Sequence, residues 1–257
     1  MRVIVKYDPA GRMGNRMFQY TFGYILSKLK NCSFYYGSLP NFNISSNLED
    51  VGNLHRARIN TRNYGDQYAD IDLLVNHEGD VIVDSFVQKS RFYVDYKEEL
   101  KSLFKVQDTI INKNKLVLHI RETDYVTINA FLGYDYYKKL IDDSKYKEVI
   151  IVTDNTTSDT VQKLVKENGC TLSTEGTVDN FTAHSDSRAI DDFKTLMYSE
   201  NIAISQSSFS WWAAFLGNHK KIVFPFKTGL DWWPIDPGKD DIDLYFNIDN
   251  VTQKYII

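Results

Sequence analysis

Between Lys115 and Val126 the chain reads Lys-Leu-Val-Leu-His-Ile-Arg-Glu-Thr-Asp-Tyr-Val, an apolar run that passes without a break into ionisable residues. Such a run is the pattern of a buried strand in a parallel sheet. It would deliver His119, Arg121 and Asp124 to the strand's carboxyl end. In open α/β sheets ligands bind outside the carboxyl ends of strands, so the run constrains both the layering of the chain and the place of its chemistry. The Arg121 guanidinium is permanently charged and forks onto phosphate oxygens, which suits it to gripping a diphosphate. The plainer alternative is an ion pair with Glu122 or Asp124.

The same alternation extends over the chain. Arg2–Tyr7 reads as a strand, Asp8–Arg16 as a glycine loop, and Phe18, Phe22, Ile25, Leu26 and Leu29 mark a helix. Gly11 and Gly14 would let the backbone approach a ligand at the helix N-terminus, although the spacing falls short of GxGxxG; a tight turn needing positive φ is the alternative. Residues 34–69 read as surface loops and short elements. Val81–Phe86 is a predicted strand, Tyr96–Leu103 a helix, and Asp108–Asn114 a polar linker. Beyond the central strand come a helix over Tyr134–Ile141, a strand over Glu148–Thr153 and a helix over Ser158–Asn168 stopped by Gly169. A helix over Ala189–Ser199, a strand over Asn201–Ser205, a helix over Trp211–Gly217 and a strand over Lys221–Phe224 follow. This order predicts an α/β protein of two Rossmann-like halves facing a cleft, residues 1–110 and 115–257.

Composition narrows the functions. With 257 residues, 43% hydrophobic and 25% charged at a net charge of -4, the chain can bury a large core and has no electrostatic reason to bind nucleic acid. Cys32 and Cys170 lack CxxC spacing and read as buried free thiols, while His55, His77, His184 and His219 lack metal-ligand spacing. Asp240, Asp241 and Asp243 read as a solvated loop. No leader or membrane-spanning run is evident, which points to a cytoplasmic protein with room for peripheral contact with a membrane-borne acceptor. Ser207, Ser208 and Phe209 open a helix whose amides could surround phosphate oxygens, the alternative being plain N-capping by a serine. Trp211 and Trp212 read as core, and Asp191 and Asp192 as first-turn helix charges or a base contact.

Three stretches taken together, Gly11–Tyr20 (Gly-Arg-Met-Gly-Asn-Arg-Met-Phe-Gln-Tyr), His119–Val126 and Ser207–Leu216 (Ser-Ser-Phe-Ser-Trp-Trp-Ala-Ala-Phe-Leu), resemble the α-1,2-fucosyltransferases in order and spacing. Val83–Phe92 resembles that family's glycine-tyrosine-phenylalanine-glutamine segment more loosely. The resemblance implies a GT-B glycosyltransferase that takes GDP-fucose, inverts the anomeric centre, and needs neither metal nor cofactor. The partners it implies are a nucleotide sugar and a glycan acceptor. The N-terminal half would be the acceptor side and the C-terminal half the nucleotide-sugar side. Arg121 would grip the diphosphate and His119 contact the nucleotide or sugar. Ser207, Ser208 and Phe209 would seat the phosphates and base, with Gly14 and Asp192 completing the donor set. Asn15 would lie near the fucose and the bond being broken.

Two departures stand out. Glu122 replaces the second arginine of the family's His-x-Arg-Arg, and Thr123 replaces a glycine. The related α-1,6-fucosyltransferases carry threonine there, and their proposed base would align near Asn129, which leaves Asp8, Asp124 or the departing phosphate to take the proton. The expectation is therefore a galactoside α-1,2-fucosyltransferase-like enzyme with Arg121, Asn15 and Asp124 as catalytic residues. Its rivals are the same chemistry with another nucleotide sugar, motivated by Glu122, and a glycan- or nucleotide-binding protein without turnover.

Overall fold

The computed structural model describes residues 1–8, 11–53, 58–61, 70–127, 130–173, 187–226 and 244–256. His55, Asn129, His184, Asp240, Asp241 and Asp243 lie outside them. The chain forms two compact units, one containing Met1–Phe104 and the other Lys105–Pro234 with Tyr245–Ile257.

In the first unit β1 (Arg2–Val5), β2 (Ser33–Tyr35), β3 (Arg58–Asn60) and β4 (Asp80–Val83) form a parallel sheet in the order β2-β1-β4-β3. Helix α1 (Met13–Lys30) buries Met17, Phe18, Phe22, Ile25 and Leu26, the 3.6-residue stripe of the sequence. It lies so close to the sheet that a Cβ on Gly23 would come within 2.5 Å of Val5 Cγ2. Helices α2 (Ile71–Asn76) and α3 (Lys97–Leu103) complete the unit's longer elements.

The second unit is built on a six-stranded parallel sheet, β10-β9-β8-β5-β6-β7. The strands are β5 (Asn112–Ile120), β6 (Val149–Thr153), β7 (Thr171–Leu172), β8 (Ser199–Ala203), β9 (Lys221–Phe226) and β10 (Thr252–Ile256). Asn112–Asn114, expected in a linker, instead begin β5, with an irregular register and Asn114 in the left-handed region at φ 59. The crossovers are α4 (Thr123–Thr127), α5 (Tyr134–Ser144), α6 (Asp159–Asn168), α7 (Ser187–Met197) and α8 (Ser208–Leu216). Helix α6 begins and ends as its sequence dictates: the Ser158 hydroxyl accepts from the Val161 amide, and Gly169 closes it at φ 64. Helix α8 is apolar all round and fully buries Trp211 and Trp212. Cys170 is buried and Cys32 only half-buried, both as free thiols. Among the described residues, no helix is long and apolar enough to cross a membrane.

From β5 the chain builds outward through β6 and β7, then returns to the other side of β5 to add β8 and β9. The reversal leaves a crevice between the carboxyl ends of β5 and β8, where doubly wound sheets bind ligands.

Candidate active site

Parallel register puts the site together. Ile120 of β5 lies opposite Thr153 of β6, so Arg121 and Asp154 leave the sheet side by side. Arg121 is 14% exposed; its Nη1 donates to Asp154 at 2.8 Å and its Nη2 to Asp124 at 2.7 Å. Asp154 also accepts from the Glu122 amide at 3.1 Å and the Thr123 hydroxyl at 2.5 Å. One buried carboxylate thus ties the guanidinium to the first turn of α4. The guanidinium lies 5.6 Å from the centre of the Tyr125 ring.

On the other side of β5, His119 is buried, 2.7 Å from Ser205 Oγ through Nδ1 and stacked on Phe209 at 5.5 Å. Burial pulls its pKa down to about 4 although Asp154 acts in the opposite direction, so the ring is neutral at pH 7. Ser207 occupies the N-cap position of α8, but its hydroxyl makes no capping bond. That hydroxyl meets Tyr125, whose phenol burial pushes well up. The simple capping role expected of a serine is therefore absent. Ser208 and Phe209 form the first turn of α8, and Phe209 packs edge-on against Phe193 of α7 at 5.4 Å. Asp192, beside Phe193, is buried, accepts from Ser173 at 2.9 Å and faces Arg188 at 3.9 Å. It lies beyond the first turn of α7.

Glu122, directly after Arg121, is half-buried. Burial raises its pKa, and its carboxylate meets the Ser158 hydroxyl at the start of α6, which works the other way. One of its oxygens is fully buried.

In the first unit the carboxyl ends of β1 and β4 hold a second cluster. Asn15, in the first turn of α1, accepts from Gln88 Nε2 at 2.9 Å. The loop after β1 is tied to α1 by Gln19 to the Lys6 carbonyl at 3.1 Å and Arg16 to the Gly11 carbonyl at 2.9 Å. Neither Gly11 nor Gly14 takes a positive φ. Gly11 is needed for space instead, since a Cβ there would lie 3.0 Å from the Asp8 carbonyl and 3.4 Å from the Phe86 ring. Gly14 is buried in α1. The structure thus gathers His119, Arg121, Asp124, Ser207 and Phe209 at one sheet edge, and Asn15 and Gly14 at another.

The profile of glycosyl transferase family 11 matches residues 84–231, more than half of the chain. The chain belongs to glycosyl transferase family 11. The match takes in β5, α8 and every residue just described in the second unit, and begins beyond the glycine loop. No curated protein matches the sequence. Among solved structures, a mutant of Arabidopsis thaliana FUT1 in complex with GDP is similar at a TM-score of 0.51 and 10% identity, over 87% of this chain and 70% of that one. POFUT1 in complex with GDP is similar at a TM-score of 0.45 and 11% identity, over 84% of this chain and 94% of that one. The first likeness fits a GT-B-like α/β fold with two parallel sheets.

Sequence reasoning missed Asp154 in this family 11 protein. The signal was available, because Asp154 follows the buried run Val149–Thr153 just as Arg121 follows β5. Among the described residues, no three His, Cys, Asp or Glu side chains converge as a metal-ligating group. Asp154→Asn keeps an acceptor for the Glu122 amide but removes the charge that holds Arg121. It is expected to lower stability by about 1–2 kcal/mol in urea unfolding; an unchanged midpoint would show that Asp154 does not anchor Arg121.

Proposed function

We propose that this family 11 protein transfers fucose from GDP-fucose to a hydroxyl of a glycan acceptor, with inversion, in α-1,2 linkage and without a metal ion, in the cytoplasm. The observation that carries the reading is Arg121, held at the carboxyl end of β5 by buried Asp154 next to the N-terminus of α8. A departing diphosphate needs positive charge and amide donors fixed in advance, and these are such groups. The Arabidopsis thaliana FUT1 mutant of similar fold is in complex with GDP, which accords with this donor.

In the proposed reaction the acceptor oxygen bonds the anomeric carbon as the bond from that carbon to the β-phosphate oxygen breaks, and GDP leaves with the bonding pair. Arg121 gives its Nη2 to the diphosphate, which releases Asp124, 45% exposed at its side chain, to receive the acceptor proton. Ser207, Ser208 and the first amides of α8 hold the phosphates. His119, Phe209 and Asp192 hold the nucleoside end, and Gly14 lets the start of α1 approach the donor. Asn15 acts at the fucose. The first unit serves the acceptor, the second the nucleotide sugar. Glu122, whose carboxylate meets the Ser158 hydroxyl, is compatible with this donor.

Calorimetric titration with GDP, GDP-fucose and UDP-, dTDP- and other GDP-sugars, with and without magnesium, tests the reading. Selective binding of GDP and GDP-fucose at equal strength in a chelator is expected, with GDP released once a galactoside acceptor is supplied. Preference for another nucleotide sugar, or no nucleotide binding, would overturn it.

A further inference from the structure

Arg16 ends the first turn of α1, half-buried, and its surroundings fix it without neutralising it. Its Nε donates to the Gly11 carbonyl at 2.9 Å, and its guanidinium lies 5.4 Å from the centre of the Tyr7 ring. That ring is fixed in turn. The Tyr7 hydroxyl donates to the Gly37 carbonyl at 3.1 Å, and a Cβ on Gly37 would come within 2.8 Å of the ring. Arg2, Arg121 and Arg188 each face an aspartate, whereas among the described residues no carboxylate pairs with Arg16. The first turn of α1 contains no acid either, so the guanidinium sits at the positive end of a helix dipole with nothing on its own element to offset it.

We propose that Arg16 is a specificity-determining residue that selects an acidic acceptor, its Nη1 and Nη2 gripping a carboxylate or sulfate group on the glycan. With Nε committed to Gly11, the two Nη atoms are the edge of the fork that meets such a group bidentately. The rotamer freedom that a mobile arginine would lose on binding is already lost here, because Gly11 and Tyr7 hold the side chain beforehand. The donor's phosphates are assigned to Arg121 and the start of α8, and fucose is uncharged, so the reactant that can bring an anion to the start of α1 is the acceptor. The inference rests on the proposal that the first unit serves the acceptor.

The test uses the full chain, GDP-fucose and acceptors that share a galactosyl end: neutral lactose, lactobionate with its carboxylate, and a sulfated lactose. In wild type at low salt, KM for a charged acceptor is expected about tenfold below that for lactose, the effect of a hydrogen bond between charged groups. The gap should narrow as sodium chloride rises from about 50 to about 500 mM, because the pair is screened. Arg16→Gln should bring the KM values together, and Arg16→Lys, a point charge without the fork, should keep a preference of about threefold. A merely structural role, tying the loop after β1 to α1, would raise every KM alike and leave the salt profile unmoved. The full wild-type preference in Arg16→Gln overturns the inference; if that variant does not fold, the full preference in Arg16→Lys does so. A loss of GDP affinity in Arg16→Gln as large as its loss toward the charged acceptors would place the guanidinium at the donor and also overturns it. Hydrolysis of GDP-fucose with transfer to neither charged acceptor overturns the inference alone. A wild-type chain that neither binds nor hydrolyses GDP-fucose overturns it together with the function it rests on.

Discussion

Arg121→Lys is expected to lower GDP release from GDP-fucose by a factor of about 10²–10³, the usual effect of removing one fixed donor to a developing anion. The charge is kept, so the loss would come from geometry. Arg121 uses Nη1 on Asp154 and Nη2 on Asp124, two directions from one rigid plane. A lysine ammonium is a single point on a flexible stem. It would settle against Asp154, whose side chain is 8% exposed, leaving no cation turned to the diphosphate. Thermal unfolding should show a folded protein with a melting temperature close to that of wild type, so the rate is the informative quantity. Turnover within threefold of wild type would mean that the diphosphate is met elsewhere and would sink the assigned role of Arg121.

The strength of this prediction comes from an arrangement that the sequence shows only in part. That β5 is a buried strand, and that Arg121 follows it, is written in Leu116–Ile120 and the charges after it. That Asp154 is Arg121's partner is not, because their adjacency depends on β6 pairing with β5 in the register Ile120 to Thr153. Register is a property of the sheet rather than of either strand's own sequence. Glu122 marks the same boundary. Its identity gives an acid beside Arg121, and only the fold shows that the carboxylate meets the Ser158 hydroxyl.

Elements with strong period or strong punctuation came out close to their expected limits. Helix α6, between Ser158 and Gly169, is the clearest case. The linker expected over Asp108–Asn114 fared differently. Its polar alternation resembles a loop, but Asn112–Asn114 begin β5, where the Asn114 amide donates to the Glu200 side chain at 2.8 Å. Short strands such as β2, β3 and β7 carry too few residues for any period to show. The site in the first unit was the least legible. The sequence marks Gly11 for close approach of the backbone to a ligand or for a positive-φ turn, whereas its φ is not positive and the nearest constraint on a side chain there is the Asp8 carbonyl, 3.0 Å from an added Cβ.

His119 should make the fold acid-sensitive in a window that can be calculated. The unfolded chain's imidazole titrates near 6.5 and the folded one at about 4, because burial penalises the charged ring. Above pH 6.5 both states are neutral and the full contribution to stability is present. As pH falls below 6.5 the unfolded chain takes up a proton that the folded chain refuses, so stability drops until the folded ring titrates near 4. Between pH 7 and about pH 4.5 the loss from this group is about 2–3 kcal/mol. Carboxylates also titrate there, so the comparison must be made against His119→Asn, which can still reach Ser205 but has no ionisable ring. Urea unfolding at the two pH values should show wild type losing about 2–3 kcal/mol more than the variant. Equal losses would mean that the imidazole accepts its proton inside the fold, and that the neutral ring assigned to the nucleoside end of the site is instead a cation.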